Sequence, residues 1–295
     1  MSRFAYVNGR YVPHAQASVH VEDRGYQFAD GVYEVIALRN GLPVDLGLHL
    51  DRLNRSLAAL FIDEPMPRRA LVHVLRQVVK KNRVRNGIVY VQVTRGVAPR
   101  NHPFPRHVPP ALVITARPRV GPRADQVENG IRVLTMADAR WARCDIKAIA
   151  LLPNVLAKQQ AAEAGAYEAW LTTPDGSVTE ASASNAWIIE ADGTLVTHPL
   201  GQAILPGVTR AVVLDIARQA GIPVTERPFT VAEAKAAREA FITSTTSLVL
   251  PVVQIDDVVI GNGHPGEVAR RLRALYIDHM SGKSAGWDAE GHLGS

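Results

Sequence analysis

The chain has 295 residues, 47% of them hydrophobic and 21% charged, the composition of a globular protein with room for one large domain or two medium ones. No apolar run reaches the length of a membrane helix, and MSRFAYVNGRYV at the start has no extended apolar stretch of the kind a secretory signal carries. The formal net charge of +5 raises nucleic-acid binding, but the basic residues are scattered among acids, and small anions are the better match for this charge. A single cysteine, Cys144, excludes an intrachain disulfide and suits a reducing, cytoplasmic setting, where it reads as a small buried filler more than as a reactive thiol.

In chain order, FAYVNGRYV alternates apolar residues around Asn8-Gly9, a hairpin signal, and GVYEVIALRNGLPV repeats it around Asn40-Gly41. Leu46, Leu50, Leu53, Leu57 and Leu60 then recur at helical spacing, and RRALVHVLRQVVKKN is a second amphipathic helix. GIVYVQVTRG and PALVITAR return to strand, so residues 1–117 are expected to form an antiparallel sheet with two helices. RPRVGPRAD, with two prolines and a glycine, marks the boundary: 118–122 as linker and 123–280 as a second domain. That domain reads as strand (GIRVLTM), helix (PNVLAKQQAAEAGA), strand (EAWLTT), a turn at Pro174-Asp175-Gly176 and a hairpin about Asp192-Gly193. A helix (GVTRAVVLDIARQAG) stopped at Gly221, the strand-rich AFITSTTSLVLPVVQI and a closing helix (GEVARRLRALYIDHM) follow. Residues 281–295 read as a disordered tail. The class is α+β, two domains with mixed sheets.

Within ARCDIKAIALLPN, Lys147 is the lone lysine beside an apolar run. Such a lysine either snorkels, covering apolar surface with its head in water, or is buried, sheds its proton and becomes a Schiff-base nucleophile. Gly207, Val208 and Thr209 open a helix whose free N–H groups suit a phosphate, or simply form a threonine cap. TSTTS, residues 243–247, offers Ser244 and Thr245 among five hydroxyls, as a phosphate cup or a polar loop. Arg52 lies beside the leucine stripe and either reaches inward to an anion or is solvated. Glu180 in VTEASASN either faces a protonated ring nitrogen or the solvent. Arg100 and His102, two apart in a proline-bounded loop, form a cationic fork for a carboxylate or an exposed basic loop. Jointly these are the parts of a pyridoxal-phosphate site; no metal site is expected.

EDRGYQFADGVYEV, HLDRL, QVTRGVAPRNHPFP, RCDIKAIALL, VTEASASN, ILPGVTR and FITSTTS stand in one order over roughly residues 4–280. In these blocks the sequence resembles the fold-type IV pyridoxal-phosphate enzymes, and within them the bacterial D-amino acid aminotransferases. The resemblance implies a two-domain fold with pyridoxal 5'-phosphate at the domain interface, held by Lys147 through a Schiff base. It implies Glu180 at the pyridine nitrogen, and Arg52, Val208, Thr209, Ser244 and Thr245 at the phosphate. Tyr33, Arg100 and His102 would bind the substrate carboxylate, the last two reaching across a homodimer. Ala183 departs from the family, where a serine is frequent, and would loosen hydrogen bonding on the cofactor side. The implied reaction is ping-pong transamination between D-amino acids and 2-oxo acids. L-branched-chain aminotransferase and aminodeoxychorismate lyase are the alternatives on the same fold; a non-enzymatic basic binding protein on the same scaffold is a remote one.

Overall fold

The computed structural model describes residues 2–119, 121–282 and 285–287. These fall into two compact units. The first takes the described residues within Met1–Val120, Ile146–Ala150 and Met280–Ser295; the second takes Gly121–Asp145 and Leu151–His279.

The first unit is an antiparallel sheet under two helices. Strands β1 (Phe4–Val7) and β2 (Arg10–Pro13) form the first hairpin, and β3 (Gly31–Arg39) and β4 (Leu42–Pro43) the second. Both turns need two consecutive residues at positive φ, which Asn8-Gly9 (45° and 92°) and Asn40-Gly41 (53° and 84°) supply. With β5 (Gly87–Thr94) and β6 (Ala111–Pro118) the sheet order is β2-β1-β6-β5-β3-β4. A short helix α1 (Arg24–Phe28), not foreseen in the sequence, precedes β3; its N-cap Asp23 accepts the Gly25 N–H at 2.8 Å. Helices α2 (Leu46–Ala59) and α3 (Arg68–Asn82) follow the expected leucine and valine spacing.

The alternation along β3 decides what faces what. Val32, Glu34, Ile36 and Leu38 are buried on one face, opposite Val93, Val91 and Val89 of β5. Helix α2 lays Leu46, Leu50, Leu53 and Leu57 into that same apolar cluster. Asn82 closes α3 against β1: its Oδ1 accepts the N–H groups of Arg3 (2.6 Å) and Phe4 (3.0 Å), and its Nδ2 donates to the carbonyls of Phe4 (2.9 Å) and Val78 (2.8 Å).

Two differences from the sequence reading concern this unit. Residues 146–150 read as part of the second region, yet they run along β3: the Tyr33 N–H donates to the Lys147 carbonyl (3.0 Å) and the Ile149 N–H to the Gly31 carbonyl (3.0 Å). The described part of the expected disordered tail is also paired. Ala285 bridges to Val44, the Gly286 N–H donates to the Pro43 carbonyl at 2.9 Å, and Trp287 packs on the apolar cluster. The rest of that tail, 283–284 and 288–295, lies outside the described residues.

The second unit comprises α4 (Ala124–Asn129), β7 (Ile131–Ala137), α5 (Leu152–Glu163), β8 (Glu168–Thr172), β9 (Ser177–Ala181), β10 (Asn185–Ile189) and β11 (Leu195–Thr197), then α6 (Val208–Gln219), β12 (Val224–Glu226), β13 (Phe229–Thr230), α7 (Val231–Ala236), β14 (Glu239–Ser244), β15 (Leu248–Ile255), β16 (Val258–Val259) and α8 (Glu267–Ser281). Its sheet runs β12-β11-β10-β14-β15-β7-β8-β9-β13, with β16 on β15. It is mixed: β7 is parallel to β8 and β15, and β11 to β12. Strands β8, β10 and β14 are nearly continuous apolar runs because both faces are covered, which buries Trp170, Trp187 and Phe241 completely. Among the described residues no helix is long and apolar enough to cross a membrane.

Asn82→Ala would strip four hydrogen bonds and leave buried backbone groups of β1 and α3 unmet. A loss of roughly 1–3 kcal/mol in urea-unfolding free energy is expected.

Candidate active site

In the first unit, the core face of β3 carries one charge, Glu34, with no exposed side-chain surface. Arg52 from α2 meets it with two parallel bonds, Nε to Oε1 (2.7 Å) and Nη2 to Oε2 (2.8 Å), and His49 Nδ1 lies 2.8 Å from Oε2. Burial pushes the Glu34 carboxyl up, but the Arg52 charge and the hydrogen bonds from Arg52 and His49 outweigh it and bring it down to about 2. Arg52 is therefore inward, as one of the two sequence readings had it, and locked in orientation by Glu34.

The opposite face of β3 presents Tyr33, whose ring stacks on Tyr90 with centroids 5.7 Å apart. Lys147 Nζ lies 4.2 Å from the Tyr33 ring centroid, and the Lys147 N–H donates to Ser56 Oγ at 3.3 Å. Lys147 is half-buried, with its backbone pinned on both sides and its amine held over an aromatic face. Arg100 and His102 are exposed and share another ring: Arg100 lies 4.8 Å from the Phe28 centroid, and His102 stacks obliquely on it at 5.4 Å.

In the second unit, the buried Glu180 is the centre of a donor shell. Arg140 Nη1 bonds Oε1, Asn185 Nδ2 bonds Oε2 at 2.8 Å, and the Leu205 N–H reaches both oxygens at 3.1 Å. Arg140 is itself paired with Asp138 (2.7 Å). Burial opposes its charge, yet Asp138 and Glu180 hold the guanidinium firmly protonated. Asp138 in turn lies below the usual carboxylate range: burial works against that, and the Arg140 hydrogen bond and charge prevail. Helix α6 begins beside this shell. Its N-cap Gly207 supplies no side-chain cap, and a Cβ there would collide with Asn185 Oδ1. The Thr209 hydroxyl is buried, 3.4 Å from the Tyr276 hydroxyl. Ser244 Oγ accepts the Ser247 N–H at 3.0 Å, and Thr245 sits in the same turn. Ala183 is exposed, while its neighbours Ser182 and Ser184 turn inward to the buried Glu168.

These residues fit a phosphorylated pyridine cofactor. A buried carboxylate paired with an arginine can hold a proton on a ring nitrogen, and an uncapped helix start accepts a phosphate. Comparison with known proteins points the same way. The amino-transferase class IV family model matches residues 31–255. D-alanine aminotransferase of Bacillus licheniformis is 42% identical over 278 residues, 94% of this chain and 97% of that protein. The Staphylococcus haemolyticus enzyme of the same name is 40% identical over 281 residues, 95% of this chain and 99% of that one. Among solved structures, a T.th. branched-chain amino acid aminotransferase with pyridoxamine 5'-phosphate superposes with a TM-score of 0.89 at 27% identity, covering 95% of each chain.

The chain belongs to the class IV aminotransferases.

In this aminotransferase several residues of the two shells escaped the sequence reading: Glu34 and His49 around Arg52, and Arg140, Asp138 and Asn185 around Glu180. A signal existed for Glu34, the lone acid at a buried position of an alternating strand. Asn185 closes the VTEASASN block itself. Arg140 gave none, since an arginine in a loop is ordinarily solvated. Cys144 is buried, its Sγ 3.1 Å from the Trp141 carbonyl, and burial pushes the thiol up to about 11, so it is protonated at neutral pH.

Because the folded value of Glu34 is depressed, its contribution is complete above the unfolded value near 4.5 and is lost as pH falls toward 2. The difference corresponds to about 3 kcal/mol. In urea unfolding, wild type should therefore lose more stability between pH 4.5 and 3 than Glu34→Gln does, and Glu34→Gln should be the less stable at pH 7. Equal slopes would show that the pair is not ionised in the fold.

Proposed function

We propose that this aminotransferase exchanges the amino group between D-amino acids, of the D-alanine and D-glutamate type, and 2-oxo acids such as 2-oxoglutarate or pyruvate, with pyridoxal 5'-phosphate as cofactor. The observation that carries the reading is the Arg100–His102 pair, an arginine and a histidine gathered on one ring. A carboxylate docked between them fixes one substituent of the substrate Cα. With the amine directed to the Lys147 chemistry and the hydrogen to its Nζ, only one enantiomer's side chain has room. Near-full-length likeness to D-alanine aminotransferases supports the same assignment.

The roles follow residue by residue. Lys147 Nζ would hold the cofactor covalently as a Schiff base, and, released when the substrate amine takes its place, the same Nζ would accept the proton from the substrate Cα and carry it as the general acid–base group. Tyr33, against which that amine rests, limits its swing and lines the carboxylate side. Glu180 holds a proton on the ring nitrogen; Arg140 and Asn185 keep the carboxylate aimed. When bound, pyridoxal phosphate supplies the carbonyl and the electron-withdrawing ring that make the Cα proton acidic. Arg52, the Val208 and Thr209 N–H groups, Ser244 and Thr245 bind the phosphate, with Arg52 oriented by Glu34. The active form is a homodimer in which Arg100 and His102 serve the neighbouring copy. Their exposure, and that of the nearby Phe61 and Phe104 rings at 80% and 57%, supports a second copy over this face. The single cysteine, kept protonated, accords with a cytoplasmic enzyme.

Purified protein should absorb in the visible range, transaminate D-alanine with 2-oxoglutarate, and turn over L-leucine and L-valine poorly. L-valine faster than D-alanine would replace this reading with the branched-chain one. Lys147→Ala should lower the rate by at least about 10²–10⁴-fold, the range for loss of a general acid–base group, while still folding. Wild-type turnover in that variant would move the reacting amine elsewhere.

A further inference from the structure

The Arg100–His102 loop is polar, exposed and flanked by prolines, so it has no core of its own to fix these two side chains. The fixing comes from α1 and the residues after it. Helix α1 is pressed on the end of β5: a Cβ at Gly25 would collide with Thr94 Cγ2, Asp23 accepts the Thr94 hydroxyl at 3.0 Å, and the Arg24 N–H donates to the Gly96 carbonyl at 2.9 Å. From this platform the buried Arg24 guanidinium grips the loop backbone, Nη1 to the Asn101 carbonyl (2.5 Å) and Nη2 to the His102 carbonyl (3.2 Å). Its Nε is held by Asp30 (2.7 Å), which Arg95 braces through two more bonds of 2.8 and 3.0 Å. Arg95 also lies 3.6 Å from the Phe104 ring centroid, which secures the far side of the loop.

Phe28, the last residue of α1, completes the arrangement. The Arg24 guanidinium is 4.9 Å and the Arg100 guanidinium 4.8 Å from its ring centroid, and the His102 ring packs on it at 5.4 Å. One ring that meets the Arg100 guanidinium on its electron-rich face and packs against the His102 ring keeps the two side chains together before substrate arrives. We propose that Phe28 and Arg24 are positioning residues for the Arg100–His102 pair. Through it they set the affinity for the substrate α-carboxylate and the preference for one enantiomer. The inference rests on the proposed role of that pair in binding the carboxylate.

The test compares wild type, Phe28→Leu, Phe28→Tyr and Arg100→Ala for D-alanine, L-alanine and 2-oxoglutarate. Phe28→Leu keeps an apolar side chain and removes the ring. The KM for D-alanine and for 2-oxoglutarate should rise about 3–30-fold, the span of a cation–π contact, with kcat within about twofold. The D-over-L ratio should narrow, and Phe28→Tyr should restore all three. Phe28→Leu with KM and D-over-L ratio at wild-type values, beside an Arg100→Ala whose KM rises, would overturn the inference and leave the reading of the site standing. So would a fall in kcat in step with a lowered thermal midpoint and an unchanged KM, the mark of a purely structural ring. An Arg100→Ala with unchanged KM would remove the carboxylate role itself, and this inference with it.

Discussion

A carboxylate with no exposed surface cannot stand alone in an apolar core, and Glu34 is such a carboxylate. The pairing with Arg52 is what permits it, and much of the first unit is arranged around that pair. It fixes the rotation of α2 on β3, because the guanidinium reaches both oxygens in only one orientation of the helix. With Glu34 committed inward, the period of a strand commits Tyr33 to the other face, where it meets Lys147. Val32 and Gly31 then take their backbone places beside Ala148 and Ile149. Four consecutive residues, 31–34, thus position a close backbone approach, a strand bridge, an aromatic floor and a buried charge.

The same device recurs twice: Asp30 between Arg24 and Arg95, and Glu180 against Arg140. At Glu34 and Asp30 burial would raise the carboxyl and a planar guanidinium offsets it. Asp30 lies below the ordinary range on this account: burial pushes it up, and hydrogen bonds from Arg95 and Arg24 outweigh that. Arginine suits all three places because its donors lie in one plane and leave edges for further acceptors. Arg24 uses them on two loop carbonyls and Arg140 on Asp138. A lysine could neutralise the charge, but it could not carry orientation from one element to the next. Arg24, Arg52, Arg95 and Arg140 therefore serve as internal scaffolding.

The local elements were legible because each had one dominant physical signal. Asn-Gly pairs marked the turns that need two positive φ values, leucine spacing marked α2, and RRALVHVLRQVVKKN coincides with α3 residue for residue. What escaped was decided by distant packing. Helix α1 is five residues long, too short for periodicity to register. Residues 146–150 sit within a stretch whose flanks belong to the second unit, and only the hydrogen bonds to Tyr33 and Gly31 assign them to β3. The polar clusters were half legible: Arg52, Glu180, Arg100 and His102 stood out as charges in marked settings. Of their partners, Glu34 left one mark, an acid at a buried position of an alternating strand, whereas Arg140 and Arg24 looked like ordinary loop residues, because a pairing between residues far apart in sequence leaves no mark in either neighbourhood.

Gly207 illustrates how one such partner dictates a residue that invites another explanation. Glycine at a helix start suggests a conformational need, yet its φ of −64° is open to any residue. The constraint is steric. Asn185 spends its Nδ2 on the Glu180 carboxylate and on the Leu205 carbonyl (3.1 Å), which leaves its Oδ1 against the Cα of residue 207. A side chain at 207 would displace the asparagine and with it one donor to Glu180. The absence of a Cβ also leaves the first turn of α6 without a side-chain cap. One asparagine therefore links the Glu180 carboxylate to the open helix start, and a side chain at 207 would disturb both at once.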